Sequence, residues 1–181
     1  MGFRCSVFVA TSLDGFIARP DGSIDWLEKA NESVPSGEDC GYADFMSSVD
    51  VIVMGRNTFE KVLTFADWPY EDKPVWVVSQ TLKYLPAHLP ETVRLMAEAP
   101  SGLVASAREL GYSRLYIDGG RLIQSFLREG LITDLTITTI PVLIGQGRSL
   151  FGESSADIAL QLVSSQAYPF GFLQSVYEVQ R

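Results

Sequence analysis

The chain has 181 residues, of which 46% are hydrophobic, and a formal net charge of −8 at pH 7. This length and composition predict a single domain spanning residues 1–181 with one sizeable core. The negative charge disfavours nucleic acid and anionic membranes as partners. The N-terminal sequence lacks the basic and apolar regions of a signal peptide, and no apolar run reaches the ~18 residues of a membrane span, which favours a cytoplasmic protein.

The cysteine content points the same way. Cys5 and Cys40 are the two cysteines, and they form neither a CxxC pair nor part of a His/Cys cluster. The sequence therefore supports neither a disulfide framework nor a metal site, and it favours a reducing compartment.

Apolar, β-branched runs alternate with helical patterns along the chain. The predicted strands are 4–10, 51–55, 75–79, 93–96, 114–118 and 134–144. The predicted helices are 39–48, 57–63, 101–110 and 120–129. Two alternating stretches around Tyr168-Pro169-Phe170-Gly171 predict a terminal antiparallel hairpin. This order predicts an α/β fold with a mixed, mainly parallel sheet and helices on both faces.

The segment VIVMGRNTFEKV joins a strand directly to a helix. Gly55 ends the strand, and the amides of Arg56, Asn57 and Thr58 remain free at the helix N-terminus, where an anion can bind. Gly55 has no Cβ to keep a pyrophosphate away, and the Arg56 guanidinium suits a phosphate. The alternative is an ordinary turn with a surface arginine.

A second strand-to-helix turn lies in RLYIDGGRLIQSF. Gly119 and Gly120 open the helix, and Arg121 stands in its first turn. A cation there is unfavourable for the helix dipole, and a bound anion would offset that cost. The alternative is a solvent-facing arginine beside a tight turn. Together, the two turns suggest helix N-termini that converge on one dinucleotide beyond the carboxyl ends of parallel strands.

A third strand ends in Ser79, Gln80 and Thr81. These polar residues suit an adenosine ribose or its 2′-phosphate, although they also suit an ordinary turn. The chain has neither GxGxxG nor GxxxxGK[ST]. Their absence argues against an ordinary Rossmann dehydrogenase and against a P-loop nucleotidase.

Five segments occur in the order and spacing of the dihydrofolate reductase-like superfamily: FVATSLDGFIA, VIVMGRNTFE, VVSQT, YIDGGRLIQSFL and TTIPVLIGQGRSLF. The chain most resembles the reductase domain of bifunctional riboflavin-biosynthesis deaminase-reductases and its stand-alone relatives. The resemblance implies a three-layer fold with about eight strands. It also implies a homodimeric, NADPH-dependent reductase, with 5-amino-6-(5-phosphoribosylamino)uracil as the family-suggested substrate. A dihydrofolate or pterin reductase and a dinucleotide-binding module without turnover are the alternatives.

The resemblance also implies roles for individual residues in cofactor binding. Ala10 and Ile17 would border the nicotinamide. Phosphate and ribose would be bound by Gly55, Arg56, Asn57 and Thr58, the adenosine end by Ser79 and Gln80, and the pyrophosphate by Gly119, Gly120, Arg121 and Leu122. NADPH is expected in preference to NADH, since no acidic residue ends the strand at Ser79 to bind a free 2′-hydroxyl.

Two carboxylates are candidates for the catalytic proton donor. Asp14, in SLDGFIA, matches the riboflavin-type reductases, or else it is a turn residue. Asp39 falls where dihydrofolate reductases carry their substrate-binding carboxylate, with Tyr42 one helical turn later on the same face. Alternatively, Asp39 caps a helix. Trp26 either covers the substrate or belongs to the core.

Two departures from the riboflavin-type pattern bear on the substrate. The chain has no H-x-E with P-C-x-x-C, and so lacks the zinc deaminase half. The segment LTFADWPYEDKPVW lacks the acidic and arginine-bearing stretch with which riboflavin-type reductases hold the ribose phosphate. A phosphorylated substrate would then need Arg19, Arg148 or a partner subunit to compensate.

Overall fold

A computed structural model describes residues 2–180 of the chain. The strands are β1 (Arg4–Ser12), β2 (Phe16–Ala18), β3 (Val51–Gly55), β4 (Val75–Val78), β5 (Val93–Met96), β6 (Arg114–Asp118), β7 (Asp134–Ile140), β8 (Arg148–Ser149), β9 (Leu160–Ala167) and β10 (Leu173–Val179). The helices are α1 (Asp25–Asn31), α2 (Tyr42–Ser47), α3 (Arg56–Val62), α4 (Pro100–Glu109) and α5 (Gly120–Arg128). None of these helices is both long enough and apolar enough to cross a membrane.

The main sheet has eight strands in the order β5-β4-β3-β6-β1-β7-β10-β9. The strands from β5 to β7 in this order are mutually parallel, whereas β10 runs antiparallel to both β7 and β9. A separate two-stranded sheet pairs β2 with β8. The predicted α/β class, the mainly parallel mixed sheet and the terminal hairpin are confirmed.

Helices cover both faces of the sheet because the central strands are apolar on both sides. In β3, Val51 and Val53 point to the layer of α4 and α5, where they join Leu103 and Phe126 in one apolar cluster. On the opposite face, Ile52 and Met54 pack with Phe45 of α2 and Phe59 of α3. This alternation is expected for a strand buried on both faces, and it produces three layers.

Asp134 is the centre of a polar cluster at the end of the sheet where β1, β6 and β7 begin. Its carboxylate is 4% exposed and accepts a hydrogen bond from the Ser6 hydroxyl at 2.9 Å. Arg4 and Arg114 form ion pairs with it at 3.0 and 3.2 Å. Several partners thus compensate the burial of this charge. The carboxyl ends of the same strands lie at the opposite edge.

Two predicted elements differ from the structure by more than two residues at one end. The helix predicted over 39–48 begins at Tyr42, since Cys40 and Gly41 adopt positive φ values of 54° and 79° that a helix does not accommodate. The strand predicted over 134–144 ends at Ile140. Pro141 follows directly, and it has no amide hydrogen to continue the ladder.

Candidate active site

A large cleft opens at the carboxyl ends of the parallel strands, with a volume of ≈ 1770 Å³. It is lined by residues of β1, β3, β4 and β6 and of helices α1, α2, α3 and α5. Pockets for one drug-sized ligand are usually about 300–1,000 Å³. The cleft therefore has room for a dinucleotide and a second small molecule.

The two strand-to-helix turns lie side by side in this cleft. Met54 of β3 is paired with Asp118 of β6, so both strands end at the same level. Gly119 has φ = 96°, and a Cβ added to it would overlap the Thr58 hydroxyl oxygen and lie 3.8 Å from the Gly55 amide nitrogen. A Cβ on Gly55 would meet no atom within 4 Å, which leaves that turn open to a ligand.

The first turn of α5 is enclosed by the small β2–β8 sheet. A Cβ on Gly120 would lie 2.8 Å from Cδ1 of Ile17 and 3.2 Å from the Ser149 carbonyl oxygen. Ile17, Gly120, Arg121 and Leu122 all line the cleft, as does Ala10. A side chain at position 120 would force Ile17 or the backbone at Ser149 to shift, because the strand pair approaches the helix closely.

At the far side of the Gly55 turn, polar side chains come together around Arg56. Its Nη1 donates to the Thr81 hydroxyl at 3.0 Å, and its Nε lies 3.3 Å from the Glu60 carboxylate. The Ser79 hydroxyl accepts hydrogen bonds from the amides of Thr81 and Leu82 at 3.2 and 2.9 Å.

The cleft lining at this end differs in one residue from the sequence prediction. Arg56, Asn57, Thr58, Ser79 and Thr81 line the cleft. Gln80 is exposed and is not among the lining residues. The structure gives its predicted role at the adenosine end no support, because the chain bends at Gln80 and leaves this residue exposed. Thr81 occupies that place.

Asp118, which the sequence analysis did not consider, lines the cleft. It is the last residue of β6, immediately before the paired glycines, and it is half-buried. Burial raises the pKa of its carboxyl group to about 6, and a hydrogen bond from the Gly119 amide moderates the increase. An acidic residue that ends a parallel strand beside a glycine turn was the signal available in the sequence.

Three tyrosines surround this carboxyl group. Tyr42, Tyr70 and Tyr116 line the cleft with Asp118. Burial, assisted by the charge of Asp118, raises the pKa of Tyr42 to about 12, and the pKa values of Tyr70 and Tyr116 are raised for the same reasons. The Tyr116 hydroxyl donates to the Phe8 carbonyl at 2.9 Å. The phenols therefore stay protonated, and the cluster can hold a proton near a bound substrate.

Asp14 lies away from this cluster. Its exposed carboxylate accepts hydrogen bonds from the amides of Ile144 and Gly145 at 3.1 and 2.8 Å, and it is not among the lining residues. A hydrogen bond from Ser12, together with these amides, lowers the pKa of Asp14. This geometry ties the loop after β1 to the loop after β7. The structure gives no support to a catalytic role for Asp14, which stays a prediction.

Asp39 and Tyr42 line the cleft, as the sequence predicts, and Trp26 does not. The Asp39 carboxylate accepts hydrogen bonds from the Gly41 and Ala43 amides at 2.9 and 2.8 Å, so it caps α2, and these bonds lower its pKa. A catalytic role for it remains a prediction. Trp26 is 4% exposed and packs in an apolar core cluster, so its substrate-covering role has no contact to support it.

No metal centre is visible in the described part of the chain. Among residues 2–180, no three His, Cys, Asp or Glu side chains are grouped so that they could hold an ion.

Comparison with known proteins gives the family. The model of the RibD C-terminal domain matches residues 5–173. The chain is 36% identical to YwjB of Bacillus subtilis over 166 residues, which are 90% of each protein. A crystal structure from Shewanella sp. PV-4, of a protein provisionally assigned to riboflavin biosynthesis, is similar at a TM-score of 0.92 and 40% identity, with 98% and 99% of the two chains covered.

The fold extends to more distant proteins. Dihydrofolate reductase from Enterococcus faecalis has a TM-score of 0.63 and 16% identity, with 98% and 97% of the two chains covered. The expected dihydrofolate reductase-like fold is therefore confirmed. Since the family model spans most of the chain, the protein belongs to the RibD C-terminal domain family, which is a family of reductase-like proteins of the riboflavin pathway.

Proposed function

We propose that this protein is an NADPH-dependent reductase that acts on a C=O or C=N group of a small molecule. The observation that carries the proposal is the contact between the Gly55 and Gly119 turns, which sets two groups of free amides around one space. The E. faecalis dihydrofolate reductase of the same fold was crystallised with NADP(H). Membership of a reductase-like family supports the same cofactor.

The residues at the two turns fit such a cofactor. The amides of Gly119, Gly120 and Arg121 would hold the pyrophosphate, since α5 is a nine-residue helix whose first amides have no partner within the helix. Arg56 would hold a phosphate at the adenosine end, where Ser79 and Thr81 supply hydroxyl groups. No carboxylate ends β4, which favours a 2′-phosphate over a free 2′-hydroxyl.

The nicotinamide would lie between Ala10 and Ile17, facing Asp118. NADPH supplies a hydride when it is bound. The reduced group also needs one proton at its oxygen or nitrogen, and the protonated Asp118 carboxyl group would donate it. Its pKa of about 6 leaves a usable protonated fraction near neutral pH. Tyr42 and Tyr70 would orient the substrate and limit water around the carboxyl group.

The family leaves three hypotheses for what the protein does, of which two name a substrate. The first is 5-amino-6-(5-phosphoribosylamino)uracil or its unphosphorylated form, and the second is a pterin or dihydrofolate. The third is a dinucleotide-binding module without turnover. Asp118 favours the two enzymatic hypotheses over the third, because burying a carboxyl group at this position costs stability and has no evident structural benefit.

Cofactor binding can be tested directly. Thermal unfolding should be compared with NADPH, NADH and FMN, because a ligand at 100 times its Kd adds about 2.7 kcal/mol to the stability of the folded state. We expect NADPH to raise Tm most. Equal shifts with NADPH and NADH would reject the proposed 2′-phosphate site, and the lack of any shift with either would reject the reductase proposal.

We also propose that the protein is a homodimer paired through β9. This outer strand contains no charged residue, and Leu162 and Val163 are 54% and 55% exposed. Exposed edge strands usually carry charges that prevent pairing. Light scattering should give twice the chain mass of 19.9 kDa, and Val163→Lys should give the single mass. Tyr84→Lys, at another exposed position, is the control. A monomeric wild type would reject the dimer. The cytoplasm is the proposed compartment.

A further inference from the structure

We infer that the substrate is an unphosphorylated, neutral or cationic small molecule, because two carboxylates and several apolar side chains line the half of the cleft left for it, and every arginine there is engaged elsewhere. This inference rests on the proposed reductase function. The substrate half comprises the lining residues of α1, of segment 32–41, of α2 and of the last turn of α3.

Two carboxylates give this half its negative charge. Glu38 and Asp39 both line the cleft. Glu38 accepts a hydrogen bond from the Cys40 amide at 2.7 Å, and Asp39 accepts two from α2, so backbone groups hold both charges in place. The lowered pKa of Asp39 keeps it ionised at neutral pH. A phosphate dianion in this half would face two fixed like charges.

The positive side chains near this half already have acceptors. Lys61 lies 3.9 Å from the Glu28 carboxylate and also stands over the Phe65 ring. Arg19 forms a two-point ion pair with Asp25 and is not among the lining residues.

Arg148, the other arginine considered as a compensating group, faces the backbone. Its guanidinium lies 3.4 Å from the Pro20 carbonyl oxygen and packs against Gly22. The remaining lining arginines, Arg56 and Arg121, belong to the turns assigned to the cofactor. Within residues 2–180, the substrate half therefore has no arginine pair of the kind that commonly binds a phosphate.

The rest of the lining here is largely apolar. Leu27, Val34 and Val62 line this half of the cleft, and Phe65, just after α3, lines it next to them. Such walls favour a flat ring with an uncharged substituent over a strongly hydrated phosphate, whose desolvation they cannot compensate. Charge and wall chemistry thus lead to the same class of substrate.

The test compares matched pairs of one ring with and without phosphate. The pairs are 5-amino-6-ribosylaminouracil with its 5′-phosphate, and 6-hydroxymethyl-7,8-dihydropterin with its diphosphate. Calorimetry with the NADP⁺-loaded protein measures binding, and NADPH oxidation measures turnover. We expect at least one unphosphorylated compound to bind about tenfold or more tightly than its phosphorylated partner.

A charge-reversal variant locates the effect. Glu38→Lys should shift this binding ratio by about tenfold towards the phosphorylated compound. Glu32→Lys makes the same change in net charge outside the cleft lining and should leave the ratio unchanged.

The outcomes separate this inference from the reductase proposal. If NADPH binds and a phosphorylated compound binds equally or more tightly than its partner in both pairs, or if no unphosphorylated compound binds, the inference alone is overturned. Failure to bind NADPH would instead reject the reductase proposal.

Discussion

Gly119 and Thr58 are packed so closely that a Cβ at position 119 would overlap the Thr58 hydroxyl oxygen. The two residues are 61 positions apart in sequence, and each belongs to the first turn of a different helix region. Their contact joins the two glycine turns into one binding surface. The backbone at Gly119, with φ = 96°, is also one that side-chain-bearing residues rarely adopt.

We therefore expect Gly119→Ala to weaken NADPH binding by about tenfold or more and to lower the free energy of unfolding by about 1–3 kcal/mol. Calorimetry and denaturant unfolding measure the two effects. Gly130→Ala is the matched control, because Gly130 has φ = 65° but no neighbour within 4 Å and lies at the other end of α5. It should lose stability with unchanged NADPH affinity. An unchanged NADPH affinity in Gly119→Ala would contradict the role of the paired turns.

Arg56→Ala should selectively weaken the binding of NADPH. A charge-assisted hydrogen bond to a phosphate is worth about 1.5–3 kcal/mol, so we expect the Kd for NADPH to rise about 10- to 100-fold and the Kd for NADH to change much less. Arg94→Ala removes the same charge from an exposed position outside the cleft and should change neither Kd. Equal losses for both cofactors would assign Arg56 to the pyrophosphate instead.

Asp118→Asn should reduce turnover and increase stability. Burial holds the pKa of this carboxyl group about two units above its ordinary 3.8, which costs about 3 kcal/mol of folding free energy at pH 7.5. Asn carries no charge, so the variant should unfold at higher denaturant concentration while kcat falls about 100-fold. Asp50→Asn should instead lower the stability and leave kcat unchanged, because the Asp50 carboxylate accepts hydrogen bonds from Ser113 and Arg114 and lies outside the cleft lining. A fully active Asp118→Asn variant would exclude Asp118 as the proton donor.

The pH dependence of turnover follows from the same group. Proton donation needs the protonated acid, so kcat/KM should fall above pH 6 and approach a tenfold loss per pH unit. The free energy of unfolding should change with pH in the same direction. The folded state binds this proton more tightly than the unfolded state, so the contribution of Asp118 to stability declines as the pH rises from about 4 to about 6. Both trends should disappear in Asp118→Asn, as steady-state kinetics and denaturant titrations at several pH values would show.

The variant Asp14→Asn tests whether Asp14 connects two loops through hydrogen bonds or acts as a catalytic acid. The lowered pKa of Asp14 means that its hydrogen bonds stabilise the fold above about pH 4 and lose this effect as the pH falls below that value. We expect the variant to have a lower Tm at pH 7 and at least tenfold more residual activity than Asp118→Asn. Asp39→Asn is a second comparison, since it weakens a helix cap inside the cleft. If Asp14→Asn instead loses as much kcat as Asp118→Asn, the catalytic prediction for Asp14 gains support.

The sequence predicts the central sheet well for a physical reason. Strands such as β3 are buried on both faces and appear as short apolar runs, and the glycines after β3 and β6 mark the turns. Short elements were missed: β2 and β8 pair Phe16 with Ser149, and this contact has no local sequence signal. Helix α1 was also missed, since Trp26 is its single buried residue and the apolar stripe is too weak to detect.

The two glycine turns were predicted, whereas Asp118, the proposed proton donor, was missed although it directly precedes the second turn. A glycine turn after a strand is visible in the local sequence. The environment of Asp118 depends on Tyr42, Tyr70 and Tyr116, which are far apart in the chain and converge only in the folded protein. The acids predicted from the sequence were therefore Asp14 and Asp39. Both are exposed, and their carboxylates accept hydrogen bonds from backbone amides.

The pairing of Met54 with Asp118 has a consequence for engineering. Neighbouring strands are held about 4.8 Å apart by main-chain hydrogen bonds, so the spacing of the two glycine turns depends on the backbone and not on exchangeable side chains. In the proposed function, nucleotide preference would be carried by Arg56, Ser79 and Thr81, which line the cleft beside this frame. Substitution of those three residues could thus exchange one coenzyme for another, while the spacing of the two turns proposed to bind the diphosphate stays the same.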